Sequence, residues 1–140
     1  MNLPPQSAPS EVLSDFRKRN HQACLAAIDF EKTFYTTLRN NRIKFSDLYH
    51  QNAKITWCGT VITGSTSILE FYSKLPDIEV QTTELDAQPY LPSITQQILV
   101  TVGGKFRYKT AQKWNNFVDH FVLIADGNKW KILSHVARIV

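Results

Sequence analysis

The chain has 140 residues, 43% of them apolar and 11% aromatic, with a net charge of +4. That is enough for one core burying about two-thirds of the unfolded surface without staples; no apolar run approaches the roughly 20 residues needed to span a bilayer, no signal peptide opens the chain, and so modest and scattered a charge permits but does not demonstrate attraction to nucleic acid or acidic proteins. Cys24 and Cys58 are spaced for neither a metal site nor a disulfide framework and are expected as buried free thiols in a reducing compartment.

Met1 to Ser10 holds three of the six prolines and no periodic apolar pattern, and residues 1–13 are expected as a flexible leader before a single domain over 14–140. A first helix begins at Ser10 or Ser14, with Glu11 and Asp15 placed where the helix dipole favours acids. Its apolar positions from Phe16 (Ala23, Cys24, Ala27, Ile28, Phe34, Tyr35, Leu38) recur at three and four, and it ends near Asn40 with Arg39, Arg42 and Lys44 beside its last carbonyls. A short second helix is expected over Ile43 to His50, with Phe45, Leu48 and Tyr49 inward. The β-branched and aromatic run Lys54 to Cys58, a turn at Gly59-Thr60 and Val61 to Thr63 read as a small hairpin. Gly64 opens a third helix, for which Ser67 and Glu70 fit a capping box and which Pro76 stops. The remainder is strand: about Glu79 to Gln88, Ser93 to Phe106, then a closing hairpin around Asp126-Gly127-Asn128. This order argues an α+β fold, three helices packed on one face of a strongly bent antiparallel sheet forming a cone.

The closing hairpin carries the functional argument. Phe117, Phe121 and Leu123 point to one face of the first strand, and Val118, His120, Val122 and Ile124 to the other; in the second strand Trp130, Ile132, Ser134, Val136 and Arg138 alternate with Lys131, Leu133, His135, Ala137 and Ile139. An antiparallel sheet covered once is apolar once, so a hairpin apolar on both sides has a second cover, and in a chain this short that cover is another protein.

With these elements placed, the sequence resembles the nuclear transport factor 2-like proteins, and within them the nuclear transport factor 2-related export proteins. The residues that carry this are His21 to Ala27, Phe34 to Thr37, Asp47-Leu48-Tyr49, Ile55-Thr56-Trp57 with Gly59, Gly64, Glu70-Phe71-Tyr72 with Leu75-Pro76, Gln88-Pro89, and Trp130-Lys131-Ile132 with Arg138. The resemblance implies a non-catalytic subunit whose outer sheet face packs against the nuclear transport factor 2-like domain of the large subunit of a messenger RNA export receptor. It implies contact with nucleoporins through the complex, with RNA only indirectly, and shuttling between the nucleus, the nuclear envelope and pore, and the cytoplasm. It implies no membrane, metal, cofactor or small-molecule substrate. An arginine at the position matching Arg138 pairs in that family with an acid of the large subunit. Ile98, Val100, Val118, His120, Val122, Ile132 and Val136 are expected around it, supplying outward apolar area on three neighbouring strands.

Other readings remain. His120 and His135 have opposite parity and need not converge, and Asp119 points away from the face of His120. A cone-pocket enzyme of the kind known in this fold class would draw on Tyr35, Tyr72, Trp57 and Asp86, a thin set. A homodimeric transport factor is a further alternative. Lys105-Phe106-Arg107-Tyr108-Lys109 alternates cations with aromatics; it could hold single-stranded RNA, or be a half-buried strand end whose lysines discourage edge pairing. Its basic character departs from the acids that engage the GTPase Ran in nuclear transport factor 2.

Overall fold

The computed structural model describes residues 9–90 and 96–140, with the side chains of 9–12 excepted. A long helix, α1 (Pro9–Asn40), is followed by a 3-10 turn (Arg42–Lys44), one turn of helix α2 (Phe45–Leu48), the hairpin β1 (Tyr49–Trp57) and β2 (Thr60–Thr63), helix α3 (Ser65–Ser73), and the meander β3 (Ile78–Pro89), β4 (Gln97–Tyr108), β5 (Asn115–Asp126) and β6 (Lys129–Ile139). Of the leader expected over 1–13, residues 1–8 lie outside the described residues and 9–13 belong to α1.

The strands form one curled sheet in the order β2-β1-β6-β5-β4-β3. Every neighbouring pair is antiparallel except β1 and β6, which run parallel, so the sheet is mixed where an antiparallel one was expected. A parallel pair needs a long crossover. Here the crossover is β2, α3 and the whole β3–β5 meander, too distant in sequence for strand patterns to reveal.

All three helices lie against one face. The α1 stripe Ala23, Ala27, Phe30, Phe34 and Leu38 is buried, spaced at three and four. Cys24 and Ile28 sit one residue off that stripe and are exposed, as is Cys58 at the tip of the β1–β2 hairpin; both thiols are free, and the expectation that they are buried fails. Cys58 adopts φ 46° and Gly59 φ 93°, the left-handed pair that the tight hairpin turn requires. The capping box fails too: the N-cap of α3 is Gly64, without a side-chain cap, and Ser67 lies within the helix. The opposite end of α3 is well held. Arg42, just beyond α1, donates to the carbonyls of Leu38 (3.0 Å), Tyr72 (3.1 Å), Leu75 and Pro76 (2.6 Å), clamping the C-termini of two helices where their dipoles favour a cation.

Bulges shape the sheet. An extra residue, Thr83, interrupts the β3–β4 pairing, and Leu133 interrupts the β5–β6 pairing. Each adds local twist and reverses the facing of the residues beyond it. Beside the first bulge, Gly104 leaves no space for a side chain: a Cβ there would stand 2.2 Å from the Gln81 carbonyl and 3.0 Å from the Phe117 ring. Gly104→Ala is therefore expected to push β3 off β4 and lower stability by about 1–3 kcal/mol, read as a lowered urea midpoint. An unchanged midpoint would mean that the close approach is not needed.

Candidate functional site

The face of the sheet away from the helices is read from the strand register. Glu84, Gly103, Val118 and Arg138 pair in succession across β3, β4, β5 and β6; the next row is Asp86, Thr101, His120 and Val136, and the one after it Gln88, Leu99, Val122 and Ser134. Thr101 Oγ1 lies 3.1 Å from His120 Nδ1, which fixes both side chains on this side. Leu99, Val118, Val122, Ile124 and Val136 are half-buried, His120 and Arg138 are exposed, and among the described residues no helix crosses them. The result is a valine-rich band on an uncovered sheet face, with a cation at one end that has no ion-pair partner among the described residues.

Of the residues expected on this face, Arg138, Val136, His120, Val118 and Val122 are there. Ile98, Val100 and Ile132 are not: they are 5%, 0% and 0% exposed and belong to the core beneath the helices. Two causes operate. In β4 the alternation itself marks the inner face, with Ile98, Val100, Val102 and Phe106 set against Gln97, Thr101, Lys105 and Arg107, and the register agrees, placing Ile98 opposite Leu123 and Val100 opposite Phe121; the expectation took the wrong face. In β6 the Leu133 bulge shifts parity by one, so Ile132 faces inward while Ser134, Val136 and Arg138 face outward.

The interior holds a polar network that the sequence reading missed. Tyr35 donates its hydroxyl to Asp119 Oδ2 (2.6 Å), and Asp119 Oδ1 lies 3.0 Å from His135 Nε2. His135 Nδ1 lies 3.0 Å from the Tyr49 hydroxyl, itself 2.8 Å from that of Tyr72. A carboxylate only accepts, so Nε2 donates; in the neutral ring Nδ1 then accepts from Tyr49, which accepts from Tyr72. Every polar atom of the chain of contacts is thus satisfied. The His135 ring stacks on Phe121 at 4.2 Å. Both inward positions were legible, Asp119 from its parity with Phe117 and Phe121 and His135 from its parity opposite Val136 and Arg138; that the two meet depends on the β5–β6 register, which the pattern does not give.

Tyr35, Tyr72, Trp57, Asp119 and His135 line a cavity of about 40 Å³. Since a water needs about 10–15 Å³ on such a measure and a drug-sized ligand several hundred, it holds a few waters at most. Asp86, expected with the tyrosines as the cone's acid, is exposed on β3 opposite Thr101 and outside the cavity lining.

Burial, and for Tyr35 also the Asp119 carboxylate, raises the ionisation of Tyr35, Tyr49 and Tyr72 well above the usual tyrosine range. In the unfolded chain these phenols ionise near pH ~10. Their folded pKa values are higher, so the contribution is fully present below about pH 10 and is lost as pH rises beyond it. Urea midpoints are expected to hold up to about pH 9 and fall by about pH 11, with a shallower fall in Tyr72→Phe; equal slopes would contradict the assignment.

The basic segment is a strand end. Phe106 is buried, and Arg107 is engaged, 3.3 Å from Glu79 Oε2 and 4.8 Å above the Trp114 ring centre. Lys105 and Lys109 remain exposed.

Comparison with known proteins agrees with this geometry. The Nuclear transport factor 2 (NTF2) domain model matches residues 26–139. NTF2-related export protein 1 of Bos taurus is 32% identical over 131 residues, covering 89% of this chain and 93% of that protein. Nuclear transport factor 2 of Saccharomyces cerevisiae is 29% identical over 115 residues, covering 81% and 90%. The solved structure of nuclear transport factor 2 from Cryptosporidium parvum superposes with a TM-score of 0.77 at 26% identity, over 86% of this chain and 97% of that one. A domain match spanning most of the chain, a relative above 30% identity and the same strand-and-helix arrangement together establish that the chain belongs to the nuclear transport factor 2 domain family.

Proposed function

We propose that this protein is a non-catalytic subunit of a nucleocytoplasmic transport receptor. Its outer sheet face packs against the nuclear transport factor 2-like domain of a larger messenger RNA export subunit and stabilises it. The observation that carries this is the uncovered band of Val118, Val122 and Val136 ending in Arg138, on the face opposite all three helices. Apolar area of that kind is stabilised when a second sheet lies on it, about 10 Å away and interdigitated. Arg138 then meets an acid of the partner, which fixes register and selects the partner. The relatives' names, export protein and transport factor, support the process. Nucleoporins are met through the complex, RNA through the larger subunit, and the protein shuttles between nucleus and cytoplasm.

A catalytic role finds less support. The Tyr35–Asp119–His135–Tyr49–Tyr72 network closes on itself beside a cavity of only about 40 Å³, so its hydrogen bonds serve the fold.

Affinity capture from nuclear extract with the tagged chain, followed by identification by mass, tests this reading. The expected product is a one-to-one complex with a larger protein bearing a nuclear transport factor 2-like domain. Recovery of the chain only as a monomer, or only as a pair of identical copies, would contradict it.

A further inference from the structure

The docking face has a second pole. Glu84 pairs with Gly103 in the register, and its carboxylate lies over that glycine: a Cβ at Gly103 would stand 3.3 Å from Glu84 Oε2. The missing side chain gives the carboxylate a seat on β4, at the margin of Val118, in the same row as Arg138. Asp86 stands in the next row, beyond Thr101 and His120. Across the valines, on the β6 and β1 side, are Arg138 and Lys54, the latter opposite Ser134. All four charged residues are exposed, and none forms an ion pair among the described residues.

Resting on the interface reading above, we infer that the partner's face is charged in the opposite sense. It presents a lysine or arginine to Glu84 and Asp86 as well as an acid to Arg138, with an apolar strip between. β3 and β6 are three strand spacings apart, roughly 14 Å, beyond the screening length of physiological salt, so the two poles do not satisfy each other through water. Covering the valines takes both poles out of solvent together, and a desolvated carboxylate is tolerated only with a counter-charge. The arrangement also sets direction. A partner sheet turned end for end across the strands places acid on acid.

A second copy of this chain fits less well. The two-fold that lays Glu84 on Arg138 runs along the strands between β4 and β5, and it lays Asp86 on Val136, a carboxylate on a methyl surface. A different protein can place a cation at that point.

The test is titration calorimetry with the recombinant nuclear transport factor 2-like domain of the protein that the wild-type chain captures. Glu84→Lys combined with Asp86→Lys is expected to weaken binding at least 30-fold; Glu84→Gln with Asp86→Asn, which keeps shape, is expected to weaken it less and to flatten its salt dependence. Reversing the partner's facing cation to glutamate should restore the lysine variant. Wild-type affinity in both acid-pole variants, while Val136→Asp abolishes binding, overturns the acidic pole and leaves the interface standing. Wild-type affinity in all three overturns the interface itself. If the chain alone forms a dimer that Glu84→Lys dissociates and Glu84→Lys with Arg138→Glu re-forms, the occupant is a second copy and the inference fails.

Discussion

Arg138→Asp is expected to weaken partner binding about 100- to 4,000-fold while leaving the isolated chain's stability within about 0.5 kcal/mol. The first figure follows from breaking a buried charge pair, roughly 3–5 kcal/mol, at 1.4 kcal/mol per tenfold in affinity. Reversal is harsher than removal, because it sets two desolvated carboxylates against each other, and Arg138→Ala should fall short of it. The second figure follows from exposure: Arg138 is the outward residue of the last strand's end, with no described ion-pair partner in its own chain. Paired calorimetric titrations and urea melts measure both. Equal affinity for the reversed and native proteins would remove Arg138 from the interface, and a large loss of monomer stability would assign it to folding instead.

Asp119→Ala is expected to have the opposite signature, a loss of about 3–5 kcal/mol in folding stability. Asp119 is 7% exposed and receives both the Tyr35 hydroxyl and His135 Nε2. Truncation leaves two buried donors without an acceptor and opens a void beside the existing cavity, and either effect is costly in a close-packed interior. Asp119→Asn should be much milder, about 1–2 kcal/mol, because its amide oxygen still accepts from His135 and the Tyr35 hydroxyl can accept from its amide nitrogen. The measurement is the urea midpoint of each variant. A deficit in Asp119→Ala no greater than in Asp119→Asn would contradict the view that the network supports the fold.

Helices and strands were legible because their signals are local. The spacing of Ala23, Ala27, Phe30 and Phe34 marks a helix whatever surrounds it, and the turn at Gly127-Asn128 marks the last hairpin. Inward and outward residues of β5 were also legible, since Phe117, Phe121 and Leu123 are larger and more apolar than their alternates. The faces of β4 were legible too, since Ile98, Val100, Val102 and Phe106 alternate with Gln97, Thr101, Lys105 and Arg107, and the expectation for Ile98 and Val100 simply took the wrong one. Ile132 is a different case: the Leu133 bulge moved it inward, and a bulge leaves no mark in alternation. The acidic pole escaped for the same reason, since Thr83 interrupts β3 just before Glu84.

Methyl cross-saturation in the partner-bound protein tests most directly whether the outer sheet face is the docking surface. Saturation transferred from the partner is expected at the methyls of Val118, Val122 and Val136 and not at Leu25 and Ile28, which are exposed on α1 on the far side of the sheet. Transfer to the α1 methyls with silent sheet valines would contradict the account.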